Sequence, residues 1–262
     1  MMNIEPIRGK NLSDAWALTF IKCWNAPHGT IAPAIISFDV KEDDKAWRLE
    51  KQTIRKLLEN QLTAFGIVSA NQSNVETVAG TIFPESIWKR CNGDSDQLFR
   101  QYDKMWPFVS KCRQNRHGTY FRRLTSFGEN GINQLRKIID TWHADTHRRS
   151  ALQAGVFNPA IDHSMARQLG FPCLQQVVFH PEGTNGSEGM IVVAFYANQL
   201  LLEKAYGNYL GLYRLGKFMA GKMGLHLKGV TCIASNLSLS KQSKRECQYL
   251  LSEIKRVLSD AD

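Results

Sequence analysis

The chain has 262 residues, of which 43% are hydrophobic and 22% are charged. This composition excludes a collagen-like or disordered protein and fits a single globular domain over residues 1–262. Lysine and arginine outnumber aspartate and glutamate by 33 to 24, which gives a net charge of +9. Because cationic surfaces collect phosphate, the charge suits a phosphorylated small molecule or a nucleic acid. Nucleic acid is the less favoured partner, since no zinc finger, basic helix or aromatic RNA-binding motif accompanies the charge.

The N-terminal segment has no basic stretch followed by an apolar run, so the sequence predicts no export signal. The most apolar stretch, Met190 to Ala197, is too short to span a bilayer. The six cysteines are irregularly spaced and form no C-x-x-C pair, which is typical of reduced thiols. We therefore expect a cytoplasmic protein without a membrane partner.

The first half of the chain is predicted to be mainly helical, with one strand. A β-branched, apolar run over 31–40 predicts the strand, and 116–119 is predicted to be a loop. Apolar side chains recur at helical spacing in 11–24, 44–65, 75–88 (interrupted at Pro84), 94–105 and 130–140.

The second half is predicted to contain a hairpin followed by two helices. Two β-rich runs, 174–179 and 189–196, flank a segment with Pro181 and Asn185-Gly186, which favours a hairpin connection. A long apolar helix over 200–224 and an amphipathic helix over 243–258 follow. No change in composition marks a linker, so one domain is predicted.

Cys173 is the candidate nucleophile. Pro172 fixes the backbone before it, and a junction between a loop and a strand can present a side chain to a cleft. The alternative is that Cys173 is a small buried hydrophobe, as most lone cysteines are. A nucleophilic thiol also needs a nearby cation that favours the thiolate. The candidate cations are Arg122, Arg123, Arg148, Arg149 and Arg167.

Arg148 and Arg149 are candidates for binding an anion. Adjacent side chains point in different directions, so one guanidinium can reach a phosphate while the other braces it. A pair of solvated surface arginines is the alternative interpretation.

No metal site is predicted. His143 and His147 have the i, i+4 spacing that can hold zinc on a helix, but no third ligand is evident. Cys91, Cys112 and His117 lack closely spaced ligand pairs. The sequence also has no Walker loop, no G-x-G-x-x-G and no G-x-S-x-G, which excludes P-loop NTPases, dinucleotide Rossmann enzymes and α/β-hydrolases.

The order of four features resembles the thymidylate synthase family. That family has a helix reading roughly G-[VI]-[DN]-Q-[LI], an Arg-Arg pair, a Pro-Cys nucleophile at a strand start, and a long helix that carries an asparagine. The resemblance covers 115–240 well and the N-terminal third loosely, where Glu85 to Trp88 is similar to the family's E-L-L-W helix. The four matching features here are Gly131 to Leu135, Arg148-Arg149, Pro172-Cys173 and Asn208.

The resemblance implies an α+β, thymidylate synthase-like fold, with a large mixed β-sheet that is flanked by helices and forms a homodimer interface. It also implies that Cys173 attacks C6 of a pyrimidine nucleotide, so that C5 becomes nucleophilic toward the carbon carried by 5,10-methylenetetrahydrofolate. The product is either methylated or, as in the related hydroxymethylases, hydroxymethylated.

The resemblance assigns roles to four further residues. Glu85 would assist proton movements at the base. Asn208 would pair with the uracil edge, because its amide offers one donor and one acceptor. Arg148 and Arg149 would cross the dimer interface and hold the phosphate of the neighbouring subunit's nucleotide.

Several family positions are replaced in this sequence. The family's Q-R-S, whose arginine bridges phosphate and nucleophile, falls on Tyr196-Ala197-Asn198-Gln199. The folate-side Asp and Gly fall on 200–203, and the ribose-reading His and Tyr fall on 235–240, without being retained. A second hypothesis therefore stays open: a catalytically reduced dimer that binds nucleotide or a partner in a regulatory or structural role.

Overall fold

The computed structural model describes residues 5–41, 43–68, 74–144, 148–163, 172–184, 189–239 and 244–260. These residues form a mixed α+β fold in which a large mixed sheet is flanked by helices. The strands are β1 (Ile7–Gly9), β2 (Thr30–Ile31), β3 (Ala34–Asp39), β4 (Gln153–Gly155), β5 (Leu174–Glu182), β6 (Gly189–Tyr196), β7 (Gln199–Leu200), β8 (Leu227–Ala234) and β9 (Leu237–Ser238). The α-helices are α1 (Leu12–Asn25), α2 (Gln52–Ala64), α3 (Asn74–Ile82), α4 (Glu85–Trp88), α5 (Ser95–Val109), α6 (Tyr120–Thr125), α7 (Gln134–His143), α8 (Pro159–Asp162), α9 (Tyr206–Met223) and α10 (Gln248–Ser259).

Six strands form the main sheet in the order β1-β3-β8-β6-β5-β4. The pairs β1/β3 and β6/β8 are parallel, and β3/β8, β5/β6 and β4/β5 are antiparallel. Leu174 pairs with Tyr196, so the start of β5 lies beside the end of β6. A second sheet joins β2, β9 and β7.

One face of the main sheet packs under helices α1 and α9. Side chains on this face, such as Phe38, Val192 and Cys232, are almost completely buried. The approach of α9 is close, because a Cβ at Gly216 would lie 2.6 Å from Cγ2 of Val192. The hydrophobic core therefore lies between this face and the helices, and its burial supplies the main stabilisation of the fold.

Helix α9 also packs closely against α3. A Cβ at Gly207 would lie 2.6 Å from Cβ of Val78, and one at Gly211 would lie 2.8 Å from Cβ of Ile82. Because α9 meets the sheet on one side and α3 on another, it is buried nearly all round. This position explains why its sequence is apolar without a strong polar face.

The opposite face of the sheet is half exposed and carries an apolar row. Ile35 pairs with Ile233, and Ile233 pairs with Phe195, so the three side chains form a row across three strands. Phe195 is 40% exposed, and Val193 lies on the same face two residues before it.

Most predicted elements are confirmed, but the bounds of one helix differ and several elements were not predicted. The helix predicted over 44–65 begins at Gln52, because the preceding segment is bound to the N-terminal region: Leu12 N–H donates to Leu49 O (3.1 Å) and Trp47 Nε1 donates to Lys10 O (3.1 Å). Strand β8, in the middle of the sheet, was not predicted. Among the described residues, the helices all fall short of the length and apolarity that crossing a bilayer requires.

Candidate functional site

Cys173 lies immediately before β5, beside the end of β6. Its carbonyl accepts hydrogen bonds from the backbone N–H of Ala197 (2.9 Å) and from Nε2 of Gln175 (3.3 Å). Pro172 is buried, and Cys173 itself is half-buried. The predicted position at a junction between a loop and a strand is confirmed, and the sheet holds the backbone that carries the thiol.

Tyr120 lies against Cys173 and was not identified from the sequence. It is the first residue of α6, which begins where the Thr119 side chain accepts a hydrogen bond from Arg122 N–H (3.1 Å). Burial raises the pKa of Tyr120, and the neighbouring Cys173 raises it further, so the phenol stays protonated at neutral pH. The backbone groups of Leu174 and Cys173 near its hydroxyl lower the pKa of Tyr120.

Two opposing influences act on the Cys173 thiol. Burial is the larger and raises its pKa, whereas the positive charge of Lys204 lowers it. The net pKa lies above the usual value, so the thiol is protonated at neutral pH in the free protein. Lys204 is an exposed residue of a π-helical turn, Leu201–Ala205, that leads into α9. Such turns occur frequently at functional sites.

Among the described residues, the arginines suggested by the sequence are not the cations that act on Cys173. Arg122 forms an ion pair with Asp103, and Arg123 is held by Asp162 in the interior. Arg167 lies outside the described residues. Lys204 is the residue whose charge lowers the pKa of the thiol.

Asn208 follows Lys204 by four residues and lies about one helical turn further along, near the start of α9. The residue is only 3% exposed. Its side-chain amide forms no hydrogen bond with another residue that the structure describes. Its polar atoms are not among the completely buried ones that lack a partner, so the amide is open to a water molecule or a ligand.

Glu85 is the first residue of α4, which follows α3. Its carboxylate lies 3.8 Å from Nζ of Lys89, and its side chain is 27% exposed. The hydrogen bonds and ion pairs of the described residues do not join Glu85 to Cys173 or Asn208. The structure therefore places Glu85 directly after α3, with no hydrogen bond or ion pair to the thiol among the described residues.

Arg148 and Arg149 lie at the opposite end of the sheet from Cys173. Both are exposed, and a guanidinium N–H of Arg149 donates to the carbonyl of Gly183, just after β5. The nine residues of β5 separate this point from Cys173, a length on the order of 25 Å. Within one chain, these arginines and the thiol are not part of the same site.

Of the two histidines, His143 lies within the described residues, and its contacts are structural. Nε2 of His143 lies 2.9 Å from the carbonyl of Lys222, and Nε1 of Trp142 donates to the carbonyl of Met223 (2.7 Å). These contacts satisfy carbonyl groups at the end of α9. His147 lies outside the described residues.

Two residues of the site were missed for different reasons. Tyr120 follows directly on the segment 116–119, which was correctly taken as a loop, but no pattern indicated that its hydroxyl would reach Cys173. Lys204 follows Glu203 in a run that otherwise consists of Leu201, Leu202 and Ala205. A pair of charges inside an apolar helical run was the available signal.

Comparison with known proteins adds no family to this geometry, since neither a protein-family model nor a curated protein matches the chain. The function is therefore inferred from the residues themselves. They are a half-buried thiol, a cation that acts on it, and a buried amide one helical turn further along.

Proposed function

We propose that the chain is a thymidylate synthase-like C1 transferase that acts on a pyrimidine nucleotide through a Cys173 adduct at C6. The observation that carries the proposal is the buried amide of Asn208, one turn from Lys204, whose charge acts on the Cys173 thiol. A nucleophile, a cation and a donor–acceptor edge are the groups that an anionic pyrimidine requires for recognition and activation.

The amide of Asn208 favours a uracil base. Its NH₂ can donate to uracil O4 while its carbonyl accepts from N3–H, and cytosine reverses both demands. A mismatch would leave buried polar groups unpaired, at roughly 1–3 kcal/mol each, or about ten- to a hundredfold in affinity. Uracil nucleotides are therefore the proposed substrates.

The chemistry begins with ionisation of Cys173. When a substrate is seated, the thiol loses its proton, and Lys204 stabilises the thiolate. The sulfur then bonds to C6, and the electron pair of the C5=C6 bond moves to C5, with O4 sharing the charge. When C5 then takes up a proton from water and later loses one, the S–C6 bond breaks, the C5=C6 double bond forms again and the thiolate is regenerated, so the C5 hydrogen is exchanged. A bound one-carbon donor would supply the carbon that C5 takes up in place of that proton.

The carbon donor proposed from the resemblance is 5,10-methylenetetrahydrofolate. In the segment where the resemblance expects folate contacts, Leu200 and Leu202 are present, and their side chains have no hydrogen-bonding atoms. Leu202 is also 1% exposed. Glu203 is the one polar side chain in 200–203, and it is 8% exposed. The segment therefore offers little to the polar edge of a pterin, and we derive no step through the folate.

We propose that the half-exposed sheet face forms a homodimer. Its apolar row of Ile35, Ile233 and Phe195 would be buried between two such faces, and a stable interface removes more than about 1,200 Å² from water. A two-fold axis that crosses the strands would bring the end with Arg148 and Arg149 of one subunit toward the Cys173 end of the other. The phosphate would then be bound by both subunits.

A second candidate function is nucleotide binding without catalysis. The raised pKa of Cys173 favours it, because a protonated thiol is a poor nucleophile. In this case the dimer would bind the nucleotide, or a partner, in a regulatory or structural role.

Exchange of the C5 hydrogen distinguishes the two functions. The protein is incubated with dUMP in D₂O, with and without 5,10-methylenetetrahydrofolate, and the C5 proton is followed by NMR. Reversible addition at C6 predicts loss of the C5 signal with the wild type and none with Cys173→Ala. Nucleotide-dependent thermal stabilisation without exchange supports the second function. If neither exchange nor stabilisation occurs, both proposals fail.

A further inference from the structure

A surface away from Cys173 combines an exposed aromatic ring with four cations. We call it the basic-aromatic surface, and its residues are Lys104, Phe108, Lys111, Arg113 and Arg116. Phe108 is 70% exposed, and the four cations are exposed too. A single exposed hydrophobic residue is ordinary in a soluble protein, so the informative feature is the group of charges around it.

The fold holds these residues together. Lys104 precedes Phe108 by one turn of α5, and Nζ of Lys111 lies 5.3 Å from the centre of the Phe108 ring. The turn that carries the two arginines is attached to the end of α5, because Nδ2 of Asn115 donates to the carbonyl of Val109 (3.3 Å). The cations therefore flank the ring on consecutive segments.

None of the four cations forms an ion pair with a carboxylate of the described residues. The nearest carboxylate in the sequence, Asp103, is already paired with Arg122. Cations near the end of α5 also complement the negative end of its dipole. That effect falls off within the last turn, and it does not explain an exposed phenylalanine in their midst. Unpaired like charges repel one another, so an anion with several charges lowers the free energy of this surface.

We propose that the basic-aromatic surface binds single-stranded nucleic acid, with Phe108 stacking on a base and the four cations contacting phosphates on either side. An unpaired strand is required because the base faces of a duplex are not accessible to the ring. A membrane fits less well, since Met105 (39% exposed) is the only other exposed large hydrophobic residue nearby among those that the structure describes. The sequence alone did not favour nucleic acid, because it shows neither the exposure of Phe108 nor the absence of ion pairs.

Anisotropy of a labelled 12-nucleotide oligo(dT) tests the charges. Four phosphate contacts predict a slope of about −2.8 for log K against log salt, so a fourfold rise in salt should weaken binding about 50-fold. The variant K104Q/K111Q/R113Q/R116Q should lose this dependence and most of the affinity. The matched control K45Q/K56Q/K137Q/K255Q removes the same charge from exposed lysines elsewhere and should retain binding. Equal losses of affinity in the two variants would show that binding depends on net charge alone and would overturn the proposed site.

The stacking contact is tested by Phe108→Leu, with Tyr249→Leu as its control, because Tyr249 is 69% exposed on another helix. Phe108→Leu should weaken oligo(dT) binding by about five- to a hundredfold, and Tyr249→Leu should not change it. Unchanged affinity in Phe108→Leu would remove stacking from the proposal. Failure of the wild type to bind the oligonucleotide, including a case in which it binds only phosphatidylserine vesicles, would overturn the proposal. The C5 exchange reaction is independent of either outcome.

Discussion

The guanidinium of Arg123 forms two hydrogen bonds with the carboxylate of Asp162, 2.6 and 2.9 Å long, where the two side chains are only 6% and 1% exposed. Arg123 also donates to the carbonyl of Val156 (3.1 Å), and Asp162 accepts from the N–H of Asn158 (2.7 Å). The pair thereby joins α6, which carries Tyr120, to the segment that follows β4.

Asp162→Asn should destabilise the protein by about 3–5 kcal/mol, because it leaves the buried charge of Arg123 uncompensated. Asp103→Asn is the matched control: its partner is Arg122, and Asp103 is 61% exposed, so the loss should stay below about 1 kcal/mol. Urea denaturation of both variants measures the difference. Similar losses of stability in the two variants would contradict the prediction that the buried ion pair contributes more than the exposed one.

Gly207→Ala and Gly211→Ala should each cost about 1–3 kcal/mol, since the new methyl group would overlap atoms of α3. Gly221→Ala, on the same helix, has no atom within 4 Å of the new Cβ and should be stabilising by about 0.5–1 kcal/mol. Thermal and urea denaturation measure whether each variant is less or more stable than the wild type. A loss of stability in all three variants would show that helix packing is not the cause.

Lys204→Gln should slow the reaction of Cys173 with iodoacetamide at pH 8 by about three- to tenfold, because it removes the charge that lowers the thiol pKa. Lys204→Arg should retain the wild-type rate. Peptide mass spectrometry gives the rate at each cysteine, and the exposed Cys112 serves as the internal control. Equal rates at Cys173 in the wild type and Lys204→Gln would remove Lys204 from the site.

Phe195→Arg should convert the proposed dimer into a monomer, because it places a charge in the apolar row of the sheet face. Phe108→Arg makes the same change at a ring that is 70% exposed on a helix and should leave the assembly unchanged. Sedimentation velocity at micromolar concentration distinguishes the two. Sedimentation of the wild-type protein as a monomer would contradict the proposed site formed by both subunits.

The Cys23 thiol should make the protein sensitive to alkaline pH. Burial raises its pKa from 9.0 to about 12, against the opposing charge of Lys244. A raised pKa in the folded state means that the stabilisation is present below pH 9 and is lost between pH 9 and 12, as the unfolded chain ionises first. The stability gap between the wild type and Cys23→Ala should therefore narrow by about 1.4 kcal/mol at pH 10 relative to pH 7.

Periodicity predicted the helices well, because their apolar stripes record burial on one side. It did not predict β8, whose surroundings are set by distant partners: Val230 pairs with Phe38 on one side and Val192 on the other. The position of Cys173 was predictable from the proline and the strand that flank it. Contacts from Tyr120 and Lys204 were not, since they depend on how α6 and the turn before α9 approach the sheet.

The central position of β8 also constrains the order in which the chain can fold. In the described part of the chain, β1 and β3 join the other four strands of the main sheet through β8, about 190 residues after β3 in the sequence. On the ribosome, residues 34–39 must therefore wait until 227–234 have emerged before the sheet can close. Until then the strand edges of β3 and β6 that pair with β8 have no partner. Unpaired edges of apolar strands promote aggregation of the nascent chain.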